Sequence, residues 1–374
     1  MSHTTGSAKK ITCPNDGSTH VHWNIAKQKF HCVACRREFD RISAVAAQGE
    51  TAFNGIAVDN KIAASLKIPE NLAEYKCVGC GAMIILDKNT SMKSRCSWCR
   101  NELVPDKVIS SEFTPNGIVP FSITKEKAIA AFRRFIRKHW FVRKDFAAKD
   151  VDIEVKAIYY PFYALDRKLK LAAKGTGSLK GSSRRSGDYV HTTYTDYAIS
   201  ASAEAVVDDF EKPALNEIKN QLIVNNIEPY DWTKVQIFDY AYLNAFAAEH
   251  RDIELSSALV QIDKEISNFI KTGLSNQIQV NLKLTEIKIA DLGSDHVDEV
   301  AYCLAPVWLI TYTDQKEKRV YFFALNGQTG KVSGILPISW QKLSIFLMIF
   351  TLAASVVAAI LNIIYLLAAS RGGT

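Results

Sequence analysis

Cys77-Val78-Gly79-Cys80, followed after fifteen residues by Cys96-Ser97-Trp98-Cys99, decides how this chain is read. Two Cys-x-x-Cys knuckles at that separation have the spacing of a four-thiolate zinc ribbon. Two residues between cysteines let both sulfurs of a knuckle reach one ion. The intervening stretch suits a short hairpin that carries the second knuckle across to complete a tetrahedron. Gly79 and Gly81 flank Cys80, where a tight turn tolerates little else. Disulfides are the competing account, and they fit poorly with a start that carries no secretory signal. The ribbon is placed at residues 72–106, with Cys77, Cys80, Cys96 and Cys99 as its metal ligands.

Upstream stands a degenerate relative of the same pattern, placed at residues 11–42. Cys13-Pro-Asn-Asp16 precedes a hairpin and Cys32-Val-Ala-Cys35 follows it. Asp16 occupies the position of a fourth cysteine. Three thiolates with one carboxylate or imidazole can hold zinc, so Cys13, Asp16, Cys32 and Cys35 form the second ligand set, with His20 as the alternative fourth ligand. A ribbon that has lost its ion and packs Trp23 and Phe39 instead is the competing reading. Residues 1–10 are small and polar and read as disordered; residues 43–71 read as a linker with room for one short helix.

A chain of 374 residues, 48% of them apolar, has room for two or three domains with buried cores. The net charge of +7 permits anionic partners without demanding them. Seven of the eight cysteines lie in knuckle-like context and Cys303 stands alone, a usage that points to a reducing compartment.

Residues 117–338 read as a mixed α+β domain with antiparallel strands. A helix capped by Thr124 is expected from Ser122 to about Lys149, with Ile129, Phe132, Phe135 and Ile136 on one face and Arg133, Arg134, Arg137 and Lys138 on the other. Such a basic helix can meet lipid headgroups or nucleic-acid phosphate, though most helices of this pattern only solvate their charged face. Strands are expected over Val151–Leu165, Leu169–Ala173, Tyr189–Ala205, Gln277–Ile289, Glu299–Tyr312, Arg319–Leu325 and Lys331–Ile335. Gly175–Gly187 reads as a flexible basic loop. A further amphipathic helix is expected over Ile253–Thr272. Tyr160-Pro-Phe-Tyr163 and Ala305-Pro-Val-Trp308 echo one another weakly, as if one unit were built twice. Asn326-Gly-Gln-Thr-Gly-Lys331 is two residues short of a phosphate loop and reads as a hairpin turn. No catalytic constellation emerges.

Leu343–Ala369 is 27 residues without a charge, about 40 Å as a helix and long enough to cross a bilayer. Lys342 and Arg371 flank it evenly, so orientation rests on the thiolates, which want a reducing cytosol. Ser355, Ala359 and Asn362 share one face of this helix, a pattern that favours helix association, as a homo-oligomer or with another membrane protein.

These features together resemble a bacterial membrane-anchored family named for a zinc ribbon of the transcription-factor-IIB type, sometimes labelled primosomal helicase-like. The resemblance is carried by the Cys77/Cys80/Cys96/Cys99 knuckles, Val119-Pro-Phe-Ser-Ile-Thr-Lys-Glu-Lys-Ala128, Tyr160-Pro-Phe-Tyr163, Tyr242-Leu-Asn-Ala-Phe-Ala-Ala-Glu249, Pro306-Val-Trp308 and Asn326–Lys331. It spans most of Ile11–Trp340. Asp16 departs from it, and no Walker motif or helicase core supports the helicase label.

The expected fold is therefore α+β: two small N-terminal zinc ribbons, a mixed α+β domain, and one C-terminal transmembrane helix at 343–369. The expected role is a tail-anchored scaffold or adaptor at the cell membrane, its bulk cytoplasmic, holding zinc and a protein partner and doing no catalysis. The alternatives are a nucleic-acid-binding membrane protein that uses the ribbons and the basic helix 125–149, and an enzyme with an unrecognised site in the α+β domain.

Overall fold

The computed structural model describes residues 11–41, 68–88, 95–106, 109, 114–146, 153–215, 221–277, 281–291, 299–314 and 319–371. The expected disordered start and residues 43–67 of the expected linker lie outside the described residues. The first ribbon is a three-stranded sheet of β1 (Val21–Asn24), β2 (Lys29–Cys32) and β3 (Glu38–Phe39). The second supplies β4 (Leu72–Cys77), β5 (Met83–Asp87) and β6 (Leu103–Pro105). There follow β7 (Gly117–Ile118), α1 (Lys125–Arg137), β8 (Ile153–Ser186), β9 (Tyr189–Pro213) and the short α2 (Gln221–Asn225). Next come β10 (Gln236–Ile237), β11 (Ala247–Glu249), α3 (Leu255–Gln277), β12 (Asn281–Asp291) and β13 (Glu299–Asp314). The described chain ends with β14 (Arg319–Asn326), β15 (Val332–Gly334) and α4 (Trp340–Arg371). The fold is α+β, with one apolar helix at its C-terminal end and a cysteine cluster in each ribbon.

The centre is the antiparallel pair β8 and β13, and here the sequence echo turns out to be a duplication in three dimensions. Tyr160 pairs with Ala305, and the chain is arranged about that point as about a twofold axis. On one side β11 runs parallel to β8 at Ile158 and Tyr159; on the other β7 runs parallel to β13 at Cys303 and Leu304. The carbonyl of Pro161 accepts from Ala214 N–H at 2.9 Å, and that of Pro306 from Gly327 N–H at 2.8 Å. The Ala214 carbonyl in turn accepts from Asp252 and Ile253, and the Gly327 carbonyl from Ser122 and Ile123. Tyr163 Oη donates to the Ile253 carbonyl at 2.7 Å, and Trp308 Nε1 to the Ile123 carbonyl at 2.8 Å. The helices that follow bury matched stripes: Ala128, Phe132 and Ile136 on α1, Ala258, Ile262 and Ile266 on α3. Each half thus braces the hairpin of the other. Gly327 is required by closeness, since a Cβ there would meet the Phe121 ring at 2.7 Å and Pro306 at 2.8 Å.

Alternation along β8 divides the core. One face carries Tyr159 beneath the first ribbon, with α3 packed over Tyr163 and Leu165 and α1 over Ile310 and Phe323. The opposite face carries Ile158, Tyr160 and Phe162 beneath the second ribbon and Leu215, Val224, Ile227, Tyr230 and Trp232. A ribbon therefore covers each face of the sheet.

Three expected elements are corrected. The basic helix 125–149 stops at Arg137, although Thr124 does cap it by accepting from Lys127 N–H. Beyond it, Val142 bridges to Ile338, and Ser339 N–H donates to Phe141. Tertiary pairing with the root of α4 overrides the helical pattern there. The expected loop Gly175–Gly187 is instead mostly strand: β8 continues to Ser186, and β9 supplies cross-strand partners such as Lys180↔Tyr194 and Ser183↔Thr192. Leu169–Ala173 belongs to the same strand and does not return on it. The turn at Asn326–Lys331 forms as read, joining β14 to β15, with Gly330 N–H bonded to the Asn326 carbonyl.

Candidate metal centres

Each ribbon is built from two copies of one backbone turn. In all four, the N–H of the residue after the knuckle donates to the carbonyl of the first cysteine: Gly17 to Cys13, Arg36 to Cys32, Gly81 to Cys77, Arg100 to Cys96. Those four residues adopt left-handed φ angles of 70°, 60°, 78° and 65°. The first cysteine of each knuckle also donates its own N–H five residues on, to Ser18, Arg37, Ala82 and Asn101. Asp16 therefore stands on the same backbone position as Cys35, Cys80 and Cys99.

These turns bring the expected ligands together as two groups, Cys77/Cys80/Cys96/Cys99 and Cys13/Asp16/Cys32/Cys35, each with its ligand atoms within 4.8 Å of one another. None of the cysteines is in a disulfide. In the second ribbon Cys77 Sγ lies 3.2 Å from Cys99 Sγ and Cys80 Sγ 3.6 Å from Cys96 Sγ. Sulfurs around a tetrahedral ion at ~2.3 Å stand about 3.8 Å apart, against ~2.05 Å in a disulfide. In the first ribbon Cys13 Sγ lies 3.5 Å from Cys35 Sγ, and Cys32 Sγ 3.5 Å from Asp16 Oδ2. Around one ion a sulfur and a carboxylate oxygen are about 3.5 Å apart. Both donor sets fit a metal ion. His20 is exposed and its backbone N–H bonds Ser18 Oγ, and it is not among the converging ligands.

Electrostatics are tuned toward anionic ligands at particular positions. Burial pushes the Cys77 thiol up, but the N–H of Cys80, the Cys99 thiol and the N–H of Gly79 outweigh it and leave it at about 7. Asp16 is drawn down to about 2, first by the Ser18 N–H and then by the Cys13 thiol. Cys13 is pushed up to about 11, chiefly by burial. The lone Cys303 is buried against Gly117 and raised to about 12 by that burial, the mark of an inert core thiol.

Sequence reasoning missed how the ribbons attach. The first is held by side chains: Trp23 Nε1 and Gln28 Nε2 donate to the Phe121 carbonyl at 3.3 and 2.9 Å, and Asn244 Nδ2 to the Val21 carbonyl at 2.6 Å. Ile11 N–H donates to Asp239 Oδ2 at 2.8 Å, and Trp23 and Phe30 pack on the Tyr242 ring at 5.5 and 4.8 Å. The second is continuous with the central sheet, because β5 pairs antiparallel with β11. Its Trp98 Nε1 donates to the fully buried Glu249 at 2.5 Å, and Arg100 reaches Glu154 and Thr313. Phe238, Tyr240, Tyr242 and Phe246 supply the surface under the first ribbon.

The chain is 28% identical over 242 residues to the uncharacterized protein YdjG of Bacillus subtilis, covering 63% of this chain and 67% of that one. No described protein family matches the chain by its sequence pattern, and no solved structure matches it.

The third feature is α4, whose stretch Trp340–Ile364, 25 residues, is long and apolar enough to cross a membrane.

Proposed function

We propose that this protein is a membrane-anchored scaffold, held in the bilayer by α4 with its bulk in the cytoplasm and stiffened by two structural zinc ions. Thiolate-rich, four-ligand sets suit zinc, and four protein ligands leave no open position for substrate, which argues for structural ions. Membership of the zinc-ribbon family that the motifs resemble is part of the same proposal.

The observation that carries the scaffold reading is an arm. Among the described residues β12 accompanies β8 as far as Ser178, and beyond it β8 and β9 run on as a two-stranded ribbon to the turn at Gly187 and Asp188. Leu179, Tyr189, Val190, Tyr194 and Tyr197 are all more than half exposed on it. A two-stranded ribbon is marginal alone in water, and exposed tyrosines are the side chains that anchor protein interfaces. The ribbons spend their largest aromatics, Trp23, Phe30 and Trp98, on the domain itself, and among their described residues the exposed large apolar side chains are Val33 and Val78 at the knuckle tips and Val104.

Photo-crosslinking residues placed singly at Tyr194, Tyr197, Val33 and Val78 in the full-length protein test this in cells. Discrete adducts at Tyr194 and Tyr197 support the arm as the docking element. Adducts confined to Val33 or Val78 make the ribbons the interaction heads, and none at any of the four overturns the scaffold reading.

A further inference from the structure

We propose that the end of α1 and the root of α4 form one binding surface for anionic phospholipid headgroups, which holds the domain against the bilayer. The inference rests on reading α4 as a membrane span. Residues 141–143 are stitched to 337–339: Ser339 N–H donates to the Phe141 carbonyl at 2.7 Å, Arg143 N–H to the Pro337 carbonyl at 3.2 Å, and Val142 bridges Ile338. Lys342 Nζ, in the first turn of α4, donates to the Val142 carbonyl at 2.6 Å. Phe141 also packs on Phe346 at 5.3 Å. Phe346 lies six residues into the helix, roughly 9 Å along its axis. The loop after α1 therefore runs beside the first turns of the span, at the depth where a bilayer's headgroups begin.

What it displays there fits that depth. Trp140 and Trp340 are 81% and 76% exposed, whereas Trp23, Trp98, Trp232 and Trp308 are all buried. Exposed tryptophan beside an apolar helix end is the signature of the membrane interface. Ile335 and Ile338 are exposed next to them. Behind the aromatics stand Arg134, Arg137, Lys138 and Lys144, all exposed. Among the described acids, Asp145 and Asp314 both pair with Arg143, while Glu126 lines a cleft on α1 with Arg134 and Arg137. Four open cations at the surface of a leaflet attract anionic lipid, each adding to the hold.

The test uses the full-length protein in nanodiscs of phosphatidylcholine alone, or of phosphatidylcholine and phosphatidylglycerol in equal parts, each doped with a headgroup-spin-labelled lipid. Subtracting the Trp140→Phe/Trp340→Phe double variant from Trp340→Phe isolates the Trp140 emission. The expected result is quenching of Trp140 that rises with phosphatidylglycerol. In Arg134→Gln/Arg137→Gln/Lys138→Gln that rise is lost, with metal content unchanged to show an intact fold. Protein that enters nanodiscs but shows no quenching, or quenching indifferent to phosphatidylglycerol and to the triple change, overturns the headgroup site and leaves the anchor standing. Protein that never enters nanodiscs overturns the anchor itself. Lipid-indifferent quenching together with duplex DNA binding that the triple variant abolishes assigns the cations to nucleic acid and overturns the proposal.

Discussion

The two cysteine clusters each close on two copies of the same backbone turn, yet one is part of the sheet and the other is a plug laid upon it. Around Cys77, Cys80, Cys96 and Cys99 the hairpin strands extend the central sheet through β5 and β11. Around Cys13, Asp16, Cys32 and Cys35 the three strands form a sheet of their own, fixed to the domain by side-chain contacts. One turn geometry thus serves two structural settings. Where the strands are shared, the binding free energy of an ion held there would be coupled to the sheet; where they are not, it would be coupled only to the plug.

That difference predicts unequal consequences of the same lesion. Cys96→Ser is expected to remove about one equivalent of metal and to cost a large fraction of the ~10–16 kcal/mol a structural zinc supplies, with unfolding that spreads to β11 and β8. Cys32→Ser is expected to remove the other equivalent and leave the sheet cooperative. Metal analysis with urea unfolding reads both, and equal costs would erase the distinction. Trp23→Ala comes next, at about 3–5 kcal/mol for a buried tryptophan. It should loosen the plug from Phe121 and Tyr242 while Cys13, Asp16, Cys32 and Cys35 keep their ion. Limited proteolysis that cuts residues 11–41 without metal loss is the expected signature, and loss of metal in step would show that the ion depends on docking.

The second ribbon hangs on a carboxyl that burial keeps protonated, and pH should probe that attachment. Glu249, which accepts from Trp98 Nε1, is raised to about 8, chiefly by burial and against the lowering effect of that hydrogen bond. A carboxyl that holds its proton more tightly when folded contributes its full stability below its unfolded value of 4.5. That contribution falls as pH rises toward about 8. Glu249→Gln keeps an acceptor for Trp98 and removes the proton. Unfolding free energies from pH 4.5 to 8 should therefore converge toward the parent at the acid end and exceed it by a few (~2–4) kcal/mol at the alkaline end. Trp23→Ala, whose anchor is a backbone carbonyl, should keep the parent's pH slope. A parent whose slope matches Glu249→Gln would show that this carboxylate is ionised at little cost.

Local patterns were legible and distant ones were not. The knuckle spacing picked out the eight residues that converge in two clusters, the run of apolar residues picked out α4, and Thr124 the start of α1. Tyr160-Pro-Phe-Tyr163 and Ala305-Pro-Val-Trp308 hinted at a duplication whose extent no residue identity reveals. Tyr163 and Trp308 differ in type, as do Ala214 and Gly327, and what they share is a hydrogen-bonding position on opposite sides of one axis. The Gly-Ser stretch after Lys174 reads as loop because strand propensity is weak there, and only the partner strand β9 decides otherwise. Likewise the helical periodicity past Arg137 is outbid by the root of α4. In each case a contact far away in sequence outweighs a local preference.

The smallest expected effect concerns the one ligand by which the clusters differ. Asp16 lies on the same left-handed-closed turn as the three cysteines it corresponds to, with Gly17 at φ 70° beside Gly81 at 78°. A cysteine at 16 therefore meets no backbone obstacle, and its sulfur replaces a carboxylate oxygen that already lies 3.5 Å from Cys32 Sγ. Thiolates bind zinc more strongly than carboxylates, whereas Asp16, held down to about 2, stays available as a ligand at pH values where thiols are protonated. Asp16→Cys should slow chelator-driven metal loss from the first ribbon until it resembles the second. It should also move the acid midpoint of metal release upward, because a fourth thiol must now lose its proton. Asp16→Asn should speed the loss and leave Cys77, Cys80, Cys96 and Cys99 untouched. Release rates followed with a zinc-sensitive dye resolve the two sites as two phases. If Asp16→Cys leaves the faster phase unchanged, residue 16 is not a ligand, and the difference between the ribbons lies in their attachment alone.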